Sequence, residues 1–246
     1  MSLYELLIVF HLLLFVYWLG GDMGVYYSSG MSIDPKLSNS ARVTASKIMM
    51  NLDFVPRMCM TLMLTVGGLL SEYNGIEHPL WQTIAFILLG PGWLSMVVYL
   101  HLAHGTEMSK TVTKIDYWFR WLIVVYLLWS VGYSFMFTDK LAAAPWVGAK
   151  LLVFAAMVFC GLMIRVYIPG YIQGILTLRQ ESDKPSMSDE MNGIMANSLN
   201  KCRPYVLAIW AGLFIECYLG VVKPGSPENA VRVSEILGAA APFAGF

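Results

Sequence analysis

Six stretches of this chain are apolar for about the length a bilayer demands, and that single fact excludes most folds. A hydrocarbon layer roughly 30 Å thick is crossed by a helix of about 20 predominantly apolar residues. By that ruler the spans are 3–27, 54–70, 81–102, 117–137, 146–168 and 205–222. Polar or Gly/Pro punctuation bounds them: Asp34-Pro35, His78-Pro79, Ala144-Pro145, Arg203-Pro204 and Lys223-Pro224. Backbone polar groups in lipid must be satisfied within their own segment, which makes each run a helix. The expected fold class is all-α. Residues 1–224 read as a polytopic integral membrane bundle of six transmembrane helices, and residues 225–246 as an extracytoplasmic tail rich in Ala, Gly and Pro.

Composition supports this. Charged residues are 13% of the 246, against about 25% in a soluble domain, while 57% are hydrophobic. Sixteen basic and sixteen acidic residues cancel, which argues against a nucleic-acid partner. No basic residue precedes the first apolar run, so it reads as a retained span rather than a cleaved leader. Cys59, Cys160, Cys202 and Cys217 form no CxxC pair and read as small buried hydrophobes.

Basic residues set the orientation. Lys36, Arg42, Lys47, Lys110, Lys114, Arg179, Lys184 and Lys201 fall in the loops after spans one, three and five. Only Lys140, Lys223 and Arg232 fall on the other side. Both termini are therefore expected outside the cytoplasm, in a bacterial inner membrane. Two amphipathic stretches, Leu37/Ala41/Ile48/Met49 and Met191/Ile194/Met195/Leu199, are expected to form short interfacial helices, the second starting at Ser188-Asp189-Glu190. Pro56 is expected in the first turn of span two, and Pro91 to kink span three.

Ionisable side chains at membrane depth cost a few kcal/mol each, which makes them the default functional candidates. Counting about 1.5 Å per residue places His11, Lys150 and Glu216 in the outer half at similar height. Asp22, Arg57, Arg165, His101 and His104 fall near the inner surface. There Asp22 and Arg57 are expected to pair, and Arg165 to snorkel to lipid headgroups. His101 and His104, at i and i+3, are an alternative metal or propionate site. Tyr4, His11, Phe15, Trp18 and Asp22 share one helical face of span one. A histidine among aromatics there suits an axial ligand to a flat cofactor, and equally a histidine hydrogen-bonded to backbone or to Glu216. Lys150 and Glu216 either neutralise each other, relay protons or hold a cofactor carboxylate. Met58-Cys59-Met60 with Met63 offers soft sulfur ligands of the kind Cu(I) prefers.

The run His11-x6-Trp18-Leu19-Gly20-Gly21 resembles the opening helix of the HemJ-type protoporphyrinogen oxidases and the related copper-resistance D membrane domains. Val55-Pro56 followed by Met60, Leu64, Thr65 and Gly68 is similar to that family's second helix. Trp146-Val147-Gly148-Ala149-Lys150-Leu151 is similar to its Trp-x-x-Ala-Lys-Leu motif, and Arg203-Pro204 to the turn before its final span. The resemblance covers roughly residues 1–70 and 144–222, with spans three and four reading as an insertion. It implies a b-type haem, His11 as iron ligand and a functional Lys150. With it come Trp18 beside the cofactor, Lys150 or Arg57 at a propionate or substrate carboxylate, and electron transfer to quinone or a redox partner. Protoporphyrinogen oxidase-like chemistry is one form of this. Copper handling, and a non-catalytic transmembrane subunit of a homo-oligomer or larger membrane complex, stay open beside it.

Overall fold

The computed structural model describes residues 2–103, 105–142, 144–180 and 188–226. His104 and nearly all of the C-terminal tail, 227–246, lie outside the described residues. Among the described residues the chain forms seven α-helices and no strand. They are α1 (Leu3–Ser32), α2 (Asn39–Tyr73), α3 (Leu80–Leu102), α4 (Glu107–Phe137), α5 (Pro145–Tyr167), α6 (Pro169–Gln180) and α7 (Asp189–Val222). Six of them are long and apolar enough to cross a membrane; α6 is not among those six. The protein is a polytopic helical membrane protein.

Side-chain caps start the helices where the sequence offers hydroxyls. Ser2 and Glu5 form a reciprocal capping box at α1. Ser38, Thr106 and the expected Ser188 accept the backbone N–H three residues on at α2, α4 and α7. Lys223, in the left-handed conformation at φ 48°, ends α7, and Pro224 follows it.

The six long helices form a closed ring in which neighbours are α1–α2, α2–α3, α3–α4, α4–α5, α5–α7 and α7–α1. Spans three and four, expected as an insertion, are the segment that closes this ring. One core runs through it, with Trp18, Met60, Trp93, Leu127, Val158 and Leu213 buried, one from each long helix. Two close approaches set the spacing. A Cβ on Gly21 of α1 would lie 2.7 Å from Pro56 Cδ of α2, and one on Gly212 of α7 would lie 2.7 Å from Met157 Cγ of α5. Glycine is what permits these helix pairs to touch.

The structure differs from the sequence expectation at the basic ends of α2 and α7. The two amphipathic stretches are not separate interfacial helices. They are the first turns of α2 and α7, which run on without a break through Pro56 and Pro204. At 1.5 Å per residue these helices are about 50 Å long, well beyond the hydrocarbon layer. Their protruding ends pack with the end of α1 and with α6, a helix the apolar-run criterion did not find. The resulting cap has its own core of Tyr171, Ile175, Leu178 and Met195. Arg42, expected as a loop cation, is buried in this cap. It donates from Nε to Ser32 O at 3.0 Å and from Nη2 to Met195 Sδ at 3.8 Å. Ser32 gives its proton to Ser29 O, so the Tyr171 hydroxyl donates to Ser32 Oγ at 2.7 Å. Burial raises the Tyr171 pKa.

Candidate functional site

The ring brings His11, Lys150 and Glu216 together from three helices. Lys150 Nζ of α5 lies 3.5 Å from Glu216 Oε2 of α7, with side-chain exposures of 21% and 13%. His11 of α1 lies within electrostatic reach of Lys150. Two glycines flank the group: a Cβ on Gly67 of α2 would lie 3.7 Å from His11 Cε1, and one on Gly220 would lie 3.2 Å from Lys150 Nζ. His11 Nδ1 and Glu216 Oε1 are both shielded from solvent and have no hydrogen-bond partner. A hydrogen bond left unmade at a buried polar atom costs about 1–3 kcal/mol, so a ligand that answered either atom would be favoured here.

The face of α1 chosen from spacing points inward. Tyr4, His11, Phe15, Trp18 and Asp22 are at least half-buried, while Leu12, Leu13, Val16 and Tyr17 between them are exposed. Trp18 is in the core, edge-on to Phe154 at 6.2 Å. It lies about 10 Å along α1 from His11, two turns further into the bundle.

The remaining candidates lie elsewhere. Arg57 sits ten residues before Gly67 on α2, so about 15 Å separates it from the His11 level. Arg57 pairs with Asp53, one turn earlier on its own helix, rather than with Asp22 as expected. Intrahelical i,i+4 geometry is available to that pair without reaching across to α1. His101 stacks on Phe54 with ring centroids 4.1 Å apart. In the Met/Cys run, Cys59, Met60 and Met63 are buried in the core, and Met60 Sδ accepts from Arg120 Nη1 at 3.4 Å. Among the described residues no group of three or more His, Cys, Asp or Glu side chains could hold a metal ion.

His78, in the loop before α3, reaches Ser71 Oγ of α2 at 2.7 Å. Ser71 donates its only proton to Gly68 O at 2.6 Å, so His78 Nε2–H must be the donor to Ser71. That assignment makes Ser71 an acceptor and not an activated nucleophile. Burial lowers the His78 pKa from its ordinary value.

A second charged group was missed from sequence. Asp116 of α4 is 0% exposed and receives three donors: Trp93 Nε1 of α3 at 3.0 Å, Arg120 Nε at 3.0 Å, and Arg165 Nη2 of α5. Arg165 therefore does not snorkel to headgroups, because a buried carboxylate one helix away claims it. The available signal was Asp116-x-x-x-Arg120 at the mouth of span four, an i,i+4 pair on one helical face. It was overlooked because the apolar run begins at Tyr117, whereas α4 begins ten residues earlier. Fifteen residues of α5, about 22 Å, separate Lys150 from Arg165. The bundle thus carries two charged levels, one near each face.

No protein-family model, curated protein or solved structure matches the chain.

Proposed function

We propose that the protein is a membrane redox protein whose His11–Lys150–Glu216 level holds a b-type haem. The observation that carries the reading is the convergence of these three side chains from α1, α5 and α7 with His11 Nδ1 and Glu216 Oε1 unpartnered. The residues present fit the group. An imidazole lacking a partner is available to iron, a lysine cation is available to a propionate, and a glycine, Gly67 or Gly220, stands against each. The resemblance of the His11/Trp18/Gly20 and Trp146/Lys150 motifs to the HemJ-type and copper-resistance D domains supports the same residues. Trp18, buried two turns deeper, packs α1, which presents His11, against α5, which presents Lys150, and Arg57 lies too far along α2 to share the site.

When bound, the haem supplies one-electron transfer to a quinone or a redox partner. The chain's own part is positional. Glu216 holds the Lys150 ammonium at the level of the imidazole, and the apolar surround keeps bulk water from screening that charge. In this reading the basic face, with the cap of α6 and the protruding helix ends, is cytoplasmic, in a bacterial inner membrane.

The test is the absorption spectrum of the purified wild-type protein and of four variants. Wild type is expected to show a Soret band and, on reduction, an α band. His11→Ala is expected to lose both while still inserting, and His101→Ala to keep them. Lys150→Met is expected to alter the spectrum, with no rescue on adding Glu216→Gln. A haem-free wild type, or full haem content in His11→Ala, refutes the proposal.

A further inference from the structure

The Asp116 level has more positive charge than its carboxylate can answer. Asp116 uses Oδ1 for Trp93 and Oδ2 for both Arg120 and Arg165, so two cations share one anion. Arg120 is 3% exposed. Its Nη1 finds only a thioether sulfur, Met60 Sδ, which is a weak acceptor. Its guanidinium plane is fixed over the Trp93 ring, 5.2 Å from the centroid. Two guanidinium nitrogens, Arg120 Nη2 and Arg165 Nη1, are shielded from solvent and have no acceptor at all.

The other charges nearby do not supply one. Arg57 of α2 is close enough to act on Arg120 electrostatically and adds further positive field. Asp53, the acidic partner of Arg57, is taken by that ion pair, and Asp22 lies within reach of Asp53 and Arg57. Unmet donors on a charged, buried guanidinium are costlier than unmet neutral ones. What answers two such forks is a group with several oxygens and a negative charge, because carboxylates and phosphates accept from arginine two bonds at a time.

We propose that Arg120 and Arg165, held by Asp116 and Trp93, form a binding site for one phosphate- or carboxylate-bearing anion near the basic face of the bundle. The site is independent of the haem proposal and lies at the opposite level of α5. Arg165, with 26% of its side chain exposed, is the side from which a ligand enters. The phosphate of an anionic lipid headgroup and a free phosphate present the same oxygens, and the experiment separates them.

Delipidated wild-type protein in a neutral detergent is titrated calorimetrically with inorganic phosphate, and separately with short-chain phosphatidylglycerol, with phosphatidylcholine as the zwitterionic control. One saturable site per chain is expected for at least one anion. Binding of phosphatidylglycerol alone identifies a lipid headgroup, and binding of inorganic phosphate identifies a free anion. Arg165→Gln leaves Asp116 and Arg120 as a balanced pair and is expected to weaken binding at least about tenfold, from the loss of one charge-assisted fork. Lys47→Gln, on the protruding end of α2, is expected to bind as wild type does. Should Arg165→Gln not fold, Arg165→Lys carries the test, since it keeps the charge but loses the planar fork, and a weakening of roughly threefold or more is expected. Absence of saturable binding by folded wild type, or wild-type affinity in whichever variant folds, overturns the proposal.

Discussion

Replacing Asp116 by Asn removes one charge and almost no volume, which makes it the sharpest test of how the bundle holds its buried arginines. The carboxylate receives three hydrogen bonds, two of them from guanidinium groups. Charged hydrogen bonds contribute about 1.5–3 kcal/mol each, which puts the two arginine contacts at roughly 3–6 kcal/mol before relaxation. Breaking a buried pair by removing one partner costs about 3–5 kcal/mol by an independent route. The two figures agree on about 4 kcal/mol. For a chain of this length 1 kcal/mol shifts the unfolding midpoint by roughly 2–4 °C, so Asp116→Asn is expected to unfold about 8–16 °C below wild type. Asp53→Asn is the matched control. Its partner Arg57 is 49% exposed, and such pairs are worth about 1 kcal/mol or less, so its midpoint is expected within roughly 4 °C of wild type. The assay is heating in detergent micelles followed by fluorescence-detected gel filtration. An Asp116→Asn midpoint no lower than that of Asp53→Asn would refute the reasoning that this network is the bundle's principal buried charge contact.

Gly21→Ala is expected to cost about 1–3 kcal/mol, because its Cβ meets a proline ring that cannot turn aside. Gly20→Ala next to it meets nothing within 4 Å and is expected to be neutral or slightly stabilising, read as the same midpoint shift. His78 has its pKa lowered by burial, so the unfolded chain binds more protons than the folded one below about pH 6.5. Stability is therefore expected to hold above that pH and to fall on acidification. His78→Gln should flatten that slope, and an unchanged slope would rule His78 out as its source. A reporter fused after Phe246 is expected to be active only if it works outside the cytoplasm, and one inserted at 181–185 only if it works inside; the reverse pattern would overturn the orientation argued from basic residues.

The membrane fold was legible because its physical cause, about 20 apolar residues per crossing, is local and can be counted. The inward face of α1 was legible for the same reason, since His11, Trp18 and Asp22 are related by helical period alone. What could not be read is which helices touch. Arg165 looked like a headgroup cation because nothing in its own span names a partner, and the partner, Asp116, stands outside the apolar run of span four. Arg57 and Asp22 looked like a pair because they fall at one depth, yet Asp53 is one turn away on the same helix. The length of α2 and α7 was hidden by a change of environment along a single helix. Their first turns are amphipathic because they pack against α6 and the end of α1, and only the later turns face lipid. A hydropathy ruler stops at that change, but the backbone hydrogen bonding does not.

The two charged levels differ in a way that bears on what each is for. At the Asp116 level the carboxylate is fully satisfied and the surplus is cationic, so the acid fixes the geometry and the unanswered valence points toward an anion. At the His11 level the position is reversed. Lys150 and Glu216 stand 3.5 Å apart, and the unpartnered atoms are a carboxylate oxygen and an imidazole nitrogen. An open carboxylate oxygen and an open imidazole nitrogen suit a metal centre or a mobile proton, and the Lys150 ammonium is the group there that an anion would meet. A structural ion pair selected for stability would close its remaining lone pairs with neutral donors, as Asp116 does with the Trp93 indole N–H. Glu216 instead leaves Oε1 open beside a histidine that is equally open, in a chain that caps and pairs most of its other polar groups. That contrast within one bundle is the reason we propose redox chemistry at the His11 level and anion binding at the Asp116 level.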